Sequence, residues 1–497
     1  MYLNKFFIIL FTFCIVSGAV FAQNESFSAK SSTTLEELRN EFDQLFDDPD
    51  FYNAQWGVCV QSLETGEFLY RRNENKLLMP ASNLKLVTTA SALQLLGAGY
   101  KFRTEIGYSG KIEGSSLKGD LIVKGFGDPT ISGRYTKDDV LKYFNDWADS
   151  LLNFGIEEIT GNIIGDDNAF DDVGLGNGWS WDYESYWYSA PSGALSLNDN
   201  CVDIIVTPAK RGDKADIKII PDNKYSVIVN RVITVPFDSS AGIEIYRERG
   251  TNVITVSGKI RETGKPVKLF ATVNNPTQYF VVVLKDVLRE KGINVRGFAI
   301  DIDDQQSDAE SDFRLLFTHE SPALTEIIKV INKNSQNFFA EQLLKAIAYE
   351  RTGLGTSSGG IRQIKQISPR MGINSDNFTM ADGSGLSRLN LVSAQQLVSL
   401  LRYMYQSDNF NDFYNSLPIA GKDGTLADRM RKSAAFEKIR AKTGYIGGVR
   451  SLSGYAMTAD GETVAFSMIV NNFTVPLVLA ENLQDMICLR LSTLRRK

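Results

Sequence analysis

One segment near the amino terminus has no polar face, which limits where it can lie in any fold. Asn83–Leu96 has the pattern of a helix that ends at Gly97, and apolar residues fall on nearly every side of it. Those residues are Leu84, Leu86, Val87, Ala90, Leu93 and Leu95. A helix without a polar face is normally buried. We therefore expect its first turn to lie at the centre of a domain rather than at a rim.

The chain changes character twice along its length. Short β-rich runs dominate between about Phe102 and Ile302, and helical patterns dominate from Pro322 to Asp412. The elements predicted outside these regions are helix Ser32–Leu45, strands Trp56–Leu63, Phe68–Arg72, Phe436–Thr443, Arg450–Thr458 and Thr463–Asn471, and helix Pro476–Leu494. This order indicates a split domain whose sheet takes strands from both ends of the sequence. The length of 497 residues suits about two to four domains.

The chain has a single histidine, His319, which restricts its chemistry. Metal sites built from several imidazoles are excluded, and a Ser-His-Asp triad is possible only around His319. The formal net charge of -6 gives no general cationic surface for nucleic acid. If the protein is an enzyme, we expect another residue to be its general base, and we expect neither a metal nor a cofactor.

The first residues have the pattern of a secretory signal. Met1–Lys5 carries a positive charge, Phe6–Val16 is a run of bulky apolar residues, and Val20-Phe21-Ala22 fits a signal-peptidase site. We predict that residues 1–22 are a signal peptide cleaved after Ala22. An uncleaved anchor is the alternative, but the apolar run is short for a span of about 20 residues. Export predicts a periplasmic location with at most peripheral membrane contact.

Export would place Cys59, Cys201 and Cys488 in an oxidising compartment. Three is an odd number, so at least one of them has no partner within the chain. Cys59 lies in a strand-like run and Cys488 in an apolar helical pattern. Both are therefore predicted to be small core residues rather than reactive thiols.

Ser82 and Lys85 form a possible nucleophile and base. Their spacing of three places both side chains on one face of a helix. Ser82 stands where the helix starts, and the free N–H groups and helix dipole there favour negative charge. Lys85 can act as a base only if it is neutral, which requires its pKa to fall from about 10.4 to about 7. Burial and a second cation nearby can supply such a shift.

The same spacing also has an ordinary interpretation. Ser82 can be a helix N-cap with Lys85 solvated, and Ser115 and Lys118 show the same spacing in a loop that enters a strand. Lys442-Thr443-Gly444, at the end of a strand-like run, supports the catalytic hypothesis. Its lysine and hydroxyl can hold a substrate carboxylate, and its charge can lower the pKa of Lys85. The alternative for Lys442 is an exposed hairpin lysine.

Ser-x-x-Lys, Ser-Asp-Asn and Lys-Thr-Gly together are the signature of serine β-lactamases and penicillin-binding proteins. Four segments compete for the middle element: Ser196-Leu197-Asn198, Ser335-Gln336-Asn337, Ser375-Asp376-Asn377 and Ser407-Asp408-Asn409. Two of the others match Ser-Asp-Asn more literally. Ser335, however, stands in a polar break before the amphipathic helix Phe338–Tyr349, where a loop can present a hydroxyl and an amide to a cleft. Ser375 and Ser407 are typical of turns, so we choose Ser335 and Asn337.

Together these motifs resemble those of the class C low-molecular-mass penicillin-binding proteins, the D-alanyl-D-alanine carboxypeptidase/endopeptidase family. The resemblance covers nearly the whole chain after the signal. Its further motifs are Gly127-Asp128-Pro129-Thr130, Asn332-Lys333 with Ala340-Glu341, Asp382-Gly383-Ser384-Gly385-Leu386-Ser387-Arg388, Gly424-Thr425-Leu426 and Ser451-Leu452-Ser453-Gly454-Tyr455. Several long motifs in the right order argue against a chance match.

The resemblance implies a multidomain α/β (α+β) fold. Its β-lactamase/transpeptidase-like domain would have an antiparallel sheet with helices and a helical cluster, interrupted by two nested β-rich inserted domains. The implied catalytic domain is 23–105 with 308–497. The first inserted domain would be 106–197 with 266–307, and the second 198–265.

The resemblance also implies roles for the motif residues. Ser82 would be acylated by the carbonyl of the penultimate D-Ala, and Lys85 would take its proton. Ser335 would relay a proton to the leaving D-Ala amine, and Asn337 would hold the substrate amide. Lys442-Thr443-Gly444 would bind the terminal carboxylate.

The backbone N–H groups of Ser82 and Tyr445 would form the oxyanion hole. The family usually has Thr or Ser where this chain has Tyr445, so a hydroxyl close to the carboxylate is lost or moved. This change would favour cleavage of cross-links. Asp128 and Arg388 match positions that in some members contact the free end of the peptide's diamino acid.

The implied activity is that of a serine-type D-Ala-D-Ala carboxypeptidase/endopeptidase acting on peptidoglycan peptide stems. β-Lactam antibiotics would be its covalent inhibitors. A serine β-lactamase or esterase on the same scaffold is one alternative. A peptidoglycan-binding protein without catalysis is another, although the intact Ser82, Lys85, Ser335, Asn337 and Lys442 argue against it.

Overall fold

The computed structural model describes residues 34–305 and 312–496. The predicted signal peptide, its cleavage site and Cys14 lie outside these residues. The helices are α1 (Leu35–Phe46), α2 (Leu84–Leu95), α3 (Lys142–Asn153), α4 (Pro276–Glu290), α5 (Leu324–Lys333), α6 (Asn337–Thr352), α7 (Ser357–Ile367), α8 (Ala394–Tyr405), α9 (Phe410–Ser416) and α10 (Leu477–Thr493). Within the described part of the chain, none of these helices has both the length and the apolar character needed to cross a membrane.

The strands vary from two to nine residues, and most of them lie between α2 and α5. They are β1 (Gln55–Ser62), β2 (Phe68–Arg72), β3 (Arg103–Tyr108), β4 (Lys111–Glu113), β5 (Ser116–Lys118), β6 (Leu121–Gly125), β7 (Glu158–Ile159), β8 (Ile163–Asp166), β9 (Cys201–Thr207), β10 (Asp216–Ile220), β11 (Val227–Val235), β12 (Gly242–Arg247), β13 (Val253–Arg261), β14 (Val267–Thr272), β15 (Asn294–Val295), β16 (Ala299–Asp301), β17 (Arg314–Glu320), β18 (Ile439–Ile446), β19 (Val449–Met457) and β20 (Thr463–Asn471).

The first two and last three strands form one antiparallel sheet in the order β18-β19-β20-β1-β2. β1 and β20 pair along the whole of β1, from Gln55 opposite Asn471 to Ser62 opposite Val464. The prediction of a sheet built from both ends of the sequence is therefore confirmed. This sheet joins the two parts of the chain that carry Ser82 and Lys442.

Helices cover both faces of this sheet because its strands carry apolar residues on both sides. Successive residues of a strand point to opposite faces. In β1, Val58 and Val60 belong to the apolar cluster that includes α1 and α10, whereas Cys59 belongs to the cluster that includes α2, α6 and α8. The sheet is thus the middle layer of three, with the motif-bearing helices α2 and α6 on one side.

Helix α2 is buried from Leu84 to Leu93, as its apolar pattern predicts. It contacts α5, α6, α7 and α8, so its first turn lies inside the domain. The predicted position of this turn is confirmed.

Helix α6 is buried on all sides, so the prediction that it is amphipathic is wrong. Every residue from Asn337 to Ala348 is buried. Gln342 Nε2 donates to the carbonyl of Gly193 at 2.8 Å, and Lys345 Nζ donates to that of Val173 at 2.9 Å. The polar face of α6 is therefore covered by the region inserted between α2 and α5, not by solvent.

That inserted region forms further sheets over a second apolar core, in which α3 and α4 also pack. The strand orders are β16-β8-β6-β3-β17, β15-β7-β5-β4, β10-β9-β14 and β11-β13-β12. Two pairings cross the predicted domain boundaries, since β17 pairs with β3 and β14 pairs with β9. The boundaries themselves stay predictions.

Cys59, Cys201 and Cys488 are buried, and none of them forms a disulfide with another described residue. Burial raises the pKa of the Cys59 thiol to about 12 and also raises the pKa of Cys201 and Cys488. A thiol with a raised pKa is a poor nucleophile because little thiolate forms. The prediction that Cys59 and Cys488 are core residues is confirmed.

Candidate active site

Ser82 lies in a single 3-10 turn, Ala81–Asn83, that leads directly into α2. Ala81 has a φ of 47°, a left-handed conformation that costs an L-residue energy and makes the chain turn sharply before the serine. Gly385 packs against this turn so closely that a Cβ on it would lie 2.0 Å from the carbonyl oxygen of Ala81. The turn is therefore fixed by its neighbours.

Lys85 is fully buried, and its Nζ lies 3.0 Å from Ser82 Oγ. The same nitrogen donates to Asn337 Oδ1 and to the carbonyl of Ser384, both at 2.6 Å. Burial lowers the pKa of Lys85 to about 7, although the buried carboxylates of Asp382 and Glu341 oppose this shift. The amine is thus available as a base near neutral pH.

Glu341 on α6 holds the loop that presents the Ser384 carbonyl. Its carboxylate accepts hydrogen bonds from Gly383 N at 2.9 Å and from Ser384 N at 2.8 Å. Asp382 holds the same loop by accepting from Gly385 N at 2.8 Å. These residues stand inside motifs visible in the sequence, but the sequence alone does not indicate that they position Lys85.

Ser335 and Lys442 form a second hydroxyl–amine pair in the site. Lys442 Nζ donates to Ser335 Oγ at 2.8 Å and to the carbonyl of Thr443 at 2.8 Å. Ser335 has a φ of 57°, the left-handed conformation, immediately before α6. Burial lowers the pKa of Lys442, and repulsion from Lys85 lowers it further. Burial is thus the largest cause of the lowered pKa of both lysines, and the two amines also repel each other.

Strand β18 passes very close to the serine turn at Gly444. A Cβ at this position would lie 2.8 Å from the carbonyl oxygen of Pro80 and 3.0 Å from Ser82 N. Only glycine fits without displacing the turn. The Thr443 hydroxyl donates to Thr425 Oγ1 at 2.7 Å, and Tyr445 is 53% exposed at the edge of the site.

The inserted region also reaches the site, which the sequence did not indicate. Asn337 Nδ2 donates to the backbone carbonyl of Tyr188 at 2.7 Å. Trp179 Nε1 donates to Asp382 Oδ2 at 2.9 Å. The only sequence signal for these contacts is that Trp179–Tyr188 is rich in aromatic residues. The site is consequently built from both parts of the molecule.

A match to the D-Ala-D-Ala carboxypeptidase 3 (S13) family covers residues 38–492. The chain belongs to this family. A D-alanyl-D-alanine carboxypeptidase from an Actinomadura species is 34% identical over 479 residues, which are 93% of this chain and 86% of that protein. The D-alanyl-D-alanine carboxypeptidase DacB of Haemophilus influenzae is 27% identical over 424 residues, which are 84% of this chain and 85% of the relative.

The fold has a matching crystal structure, that of penicillin binding protein 4 from Haemophilus influenzae. The TM-score is 0.78 at 25% sequence identity, and the match covers 91% of this chain and 99% of that chain. The resemblance seen in the motifs and the multidomain α+β fold are thus confirmed. As a member of the S13 family, the protein is a peptidase.

Asp128 and Arg388, which the family resemblance assigns to the site, are placed differently from the other predicted site residues. Asp128 is buried, and its carboxylate accepts from Thr130 N at 2.8 Å and from Thr130 Oγ1 at 2.7 Å. Its other oxygen lies 3.7 Å from Nε2 of His319, whose pKa is lowered by burial. None of its contacts in the described chain is with Ser82, so the structure does not bring Asp128 to the serine.

Arg388, in contrast, lies at the rim of the site. It is exposed, and its Nη2 donates to the carbonyl of Gly447 at 2.7 Å, in the turn between β18 and β19. Two of the rejected candidates for the middle motif, Ser375 and Ser407, lie in turns, as predicted. Ser375 begins the 3-10 turn Ser375–Asn377, and Ser407 Oγ accepts from Asn409 N at 3.2 Å.

Proposed function

We propose that this protein is an exported serine DD-peptidase. It would hydrolyse D-Ala-D-Ala ends of peptidoglycan peptides, cross-links between D-Ala and a diamino acid, or both. The observation that carries the proposal is the buried Lys85 amine, 3.0 Å from Ser82 Oγ, with a pKa lowered to about 7. Membership of the S13 family and the printed names of its carboxypeptidase relatives support the same activity.

The hydrogen bonds of Lys85 suggest how the base is oriented. Its two shorter bonds, both 2.6 Å, go to oxygens that are only acceptors, Asn337 Oδ1 and the Ser384 carbonyl. A neutral amine has two N–H groups and one lone pair. With both N–H groups donated to these acceptors, the lone pair faces Ser82 Oγ. Lys85 then takes the hydroxyl proton as Ser82 attacks the penultimate D-Ala carbonyl.

The developing oxyanion would be stabilised by the backbone N–H groups of Ser82 and Tyr445. The approach of Gly444 to Ser82 N supports this assignment because it brings β18 beside the serine turn. The terminal carboxylate would bind Lys442 and the Thr443 hydroxyl. Donors fixed before the reaction need no reorganisation when charge develops.

Release of the leaving group requires a proton on its nitrogen. Ser335 would give its proton to the D-Ala amine as the C–N bond breaks, and Lys442, which donates to Ser335 Oγ at 2.8 Å, would replace it. Transfer of a proton from Lys85 back to Lys442 would return both amines to their starting states. Water would then add to the acyl carbon, release the peptide and regenerate Ser82. The net reaction consumes one water for each peptide bond.

Labelling with a fluorescent penicillin tests the proposal. Wild type should be labelled covalently, and Ser82→Ala should not. Ser115→Ala is the matched control, because Ser115 and Lys118 have the same spacing but lie in the inserted region, Ser115 just before β5 and Lys118 at its end. Equal labelling of wild type and Ser82→Ala would overturn the assignment. Rapid loss of the label would instead identify a β-lactamase.

A further inference from the structure

Thr425 lies beside the strand that carries Lys442 and Thr443, although the proposed mechanism gives it no part. It belongs to the single 3-10 turn Gly424–Leu426, which precedes β18 in the chain. The Thr443 hydroxyl donates to Thr425 Oγ1 at 2.7 Å, and this hydrogen bond is only partly buried. Thr443 is 4% exposed, whereas Thr425 is exposed. A ligand that reaches the Thr443 hydroxyl therefore also meets that of Thr425.

Two contacts with the segment before Ser335 fix the turn that carries Thr425. Lys333 Nζ forms an ion pair with Asp423 Oδ2 at 2.5 Å. A Cβ on Gly424 would lie 2.6 Å from the carbonyl oxygen of Lys333, so only glycine fits there without displacing this segment. The position of Thr425 beside β18 is therefore set before a substrate binds.

Strand β18 itself has one short hydroxyl side chain on the face that carries Thr443. Residues two apart on a strand share a face, so Tyr445 is the next side chain beside Thr443. The family usually has Thr or Ser at this position, but the hydroxyl of Tyr445 lies at the far end of an aromatic ring, and this side chain is 53% exposed. Thr425 is the residue whose hydroxyl contacts Thr443 instead.

Two hydroxyls in contact suit a carboxylate. A threonine hydroxyl has one hydrogen to donate, and an ionised carboxylate accepts at both of its oxygens. In the free protein the hydrogen of Thr443 goes to Thr425. When a carboxylate binds, both hydroxyls can rotate and donate to it, one to each oxygen. Hydrogen bonds to an ionised group are about twice as strong as neutral ones, so this exchange is favourable.

The charges near Thr425 also favour an anion. Lys442, which the proposed mechanism requires as a cation, is next to Thr443 in the sequence, and its Nζ donates to the Thr443 carbonyl at 2.8 Å. Asp423 has the opposite charge, but its ion pair with Lys333 neutralises it. The hydroxyls of Thr443 and Thr425 therefore lie beside a positive charge, which attracts a carboxylate.

We propose that Thr425 is a specificity-determining residue, which binds the terminal carboxylate of the substrate together with Thr443. Its hydroxyl replaces the one that Tyr445 does not offer. The inference rests on the proposed function, because that function places the carboxylate at Thr443. Thr425 lies outside the three signature motifs, in the segment between α9 and β18.

Acylation by a penicillin and by its methyl ester tests the role of Thr425, because the ester lacks the ionised carboxylate. Thr425→Val keeps the shape of the side chain and removes the hydroxyl. Its second-order rate constant with the free acid should fall about tenfold, while that with the ester should stay within about twofold of the wild-type value. Thr425→Ser keeps a hydroxyl and should react with the acid like wild type.

Thr318→Val is the matched control, since Thr318 is also exposed but lies in β17 of the inserted region. This variant should react like wild type with both compounds. Equal falls for acid and ester in Thr425→Val would show that the hydroxyl only stabilises its turn, and the proposal would be overturned. Unchanged rates with both compounds would overturn it as well.

Tyr445→Thr tests whether the Thr425 hydroxyl is a replacement. With a hydroxyl restored beside Thr443, Thr425→Val should slow acylation less than it does in wild type, because both hydroxyls serve one carboxylate. Equal effects in the two backgrounds would overturn the replacement.

Labelling of Ser82→Ala reports on the proposed function separately. If Ser82→Ala is labelled like wild type, the assigned nucleophile is wrong. If labelling depends on Ser82 but is unaffected by Thr425→Val, only the inference at Thr425 fails.

Discussion

Lys85 Nζ lies 2.6 Å from Oδ1 of Asn337, a residue 252 positions further along the chain. The contact joins the first turn of α2 to the first residue of α6. Because the amide is neutral, it orients the amine without adding a charge that would favour protonation. A carboxylate in the same place would have the opposite effect on the base.

Asn337→Asp should therefore raise the pKa of Lys85. An opposite charge at hydrogen-bond distance favours the charged amine by about one to three pKa units. Penicillin acylation should slow at neutral pH, and its midpoint should move to higher pH. Rates measured across pH would show this shift. Asn415→Asp makes the same chemical change on the surface and should leave the profile unchanged; a shift in both variants would contradict the explanation.

The wild-type acylation rate should fall as pH drops below about 7, because Lys85 acts as a base only in its neutral form and its pKa is lowered to about 7. Lys85→Ala should abolish acylation while the fold is kept.

Glu341, whose pKa burial raises to about 7, titrates in the same range. Glu341→Gln distinguishes Lys85 from Glu341 as the group that titrates. If it is Lys85, removing a charge that stabilises its protonated form should move the midpoint of the acylation rate to lower pH. Loss of the pH dependence would instead assign the titration to Glu341.

Gly385→Ala should inactivate the enzyme. Both Gly385 and Gly353 have positive φ angles, so alanine at either position should cost about 1–2 kcal/mol of stability. Only at Gly385 would the new Cβ meet the Ala81 carbonyl, at 2.0 Å; nothing lies within 4 Å at Gly353. Penicillin acylation should fall more than about tenfold in Gly385→Ala alone, since small displacements of a nucleophile have large effects. Unfolding both variants in urea measures the loss in free energy of unfolding that they share.

Tyr445→Thr should improve recognition of a free terminal carboxylate, because it restores the hydroxyl usual in the family. The side chain is 53% exposed, so the change should cost little stability. We expect KM for a D-Ala-D-Ala peptide to fall by about two- to tenfold, the effect of one hydrogen bond. Tyr445→Phe should leave KM unchanged. Equal values for all three proteins would show that this position does not contact the carboxylate.

The inserted region should be removable at Phe102 and Ser321 rather than at Phe102 and Ile302. Phe102 N donates to Ser321 Oγ at 2.9 Å, and Ser321 N donates to the Phe102 carbonyl at 3.0 Å, so the two ends touch. Replacing residues 103–320 by a short linker should leave a soluble chain with cooperative thermal unfolding. Deleting only 103–301 retains β17 without its partner β3, and an unpaired strand edge favours aggregation. Similar behaviour of the two deletions would contradict this boundary.

The sequence predicts those parts of the site that depend on side-chain spacing. Ser82 and Lys85 meet because three residues make almost one helical turn, and Lys442 lies on a strand as its apolar neighbours indicate. Backbone carbonyls that accept hydrogen bonds from these side chains leave no comparable pattern in the sequence. The carbonyls of Ser384 and Tyr188, which orient Lys85 and Asn337, are not predictable from residue type.

Helix α6 shows a second limit of prediction from the sequence. Gln342 and Lys345 make it look amphipathic, since polar side chains usually face water. In the structure their donors are paired with backbone carbonyls of the inserted region, so the whole face is buried. Asp128 is a related case: its motif matches the family, but its carboxylate stabilises a local turn through Thr130.

The pairing of β1 with β20 sets the order in which this protein can become active. Ser82 is synthesised before the inserted region, and Lys442 and the three strands β18, β19 and β20 are synthesised long after it. Contacts between such distant segments form slowly, because a long loop must close first. A nascent or truncated chain that ends before β18 therefore carries Ser82, the proposed nucleophile, without Lys442, the proposed carboxylate-binding residue. The proposed activity would be acquired only after β20 has been synthesised and has paired with β1.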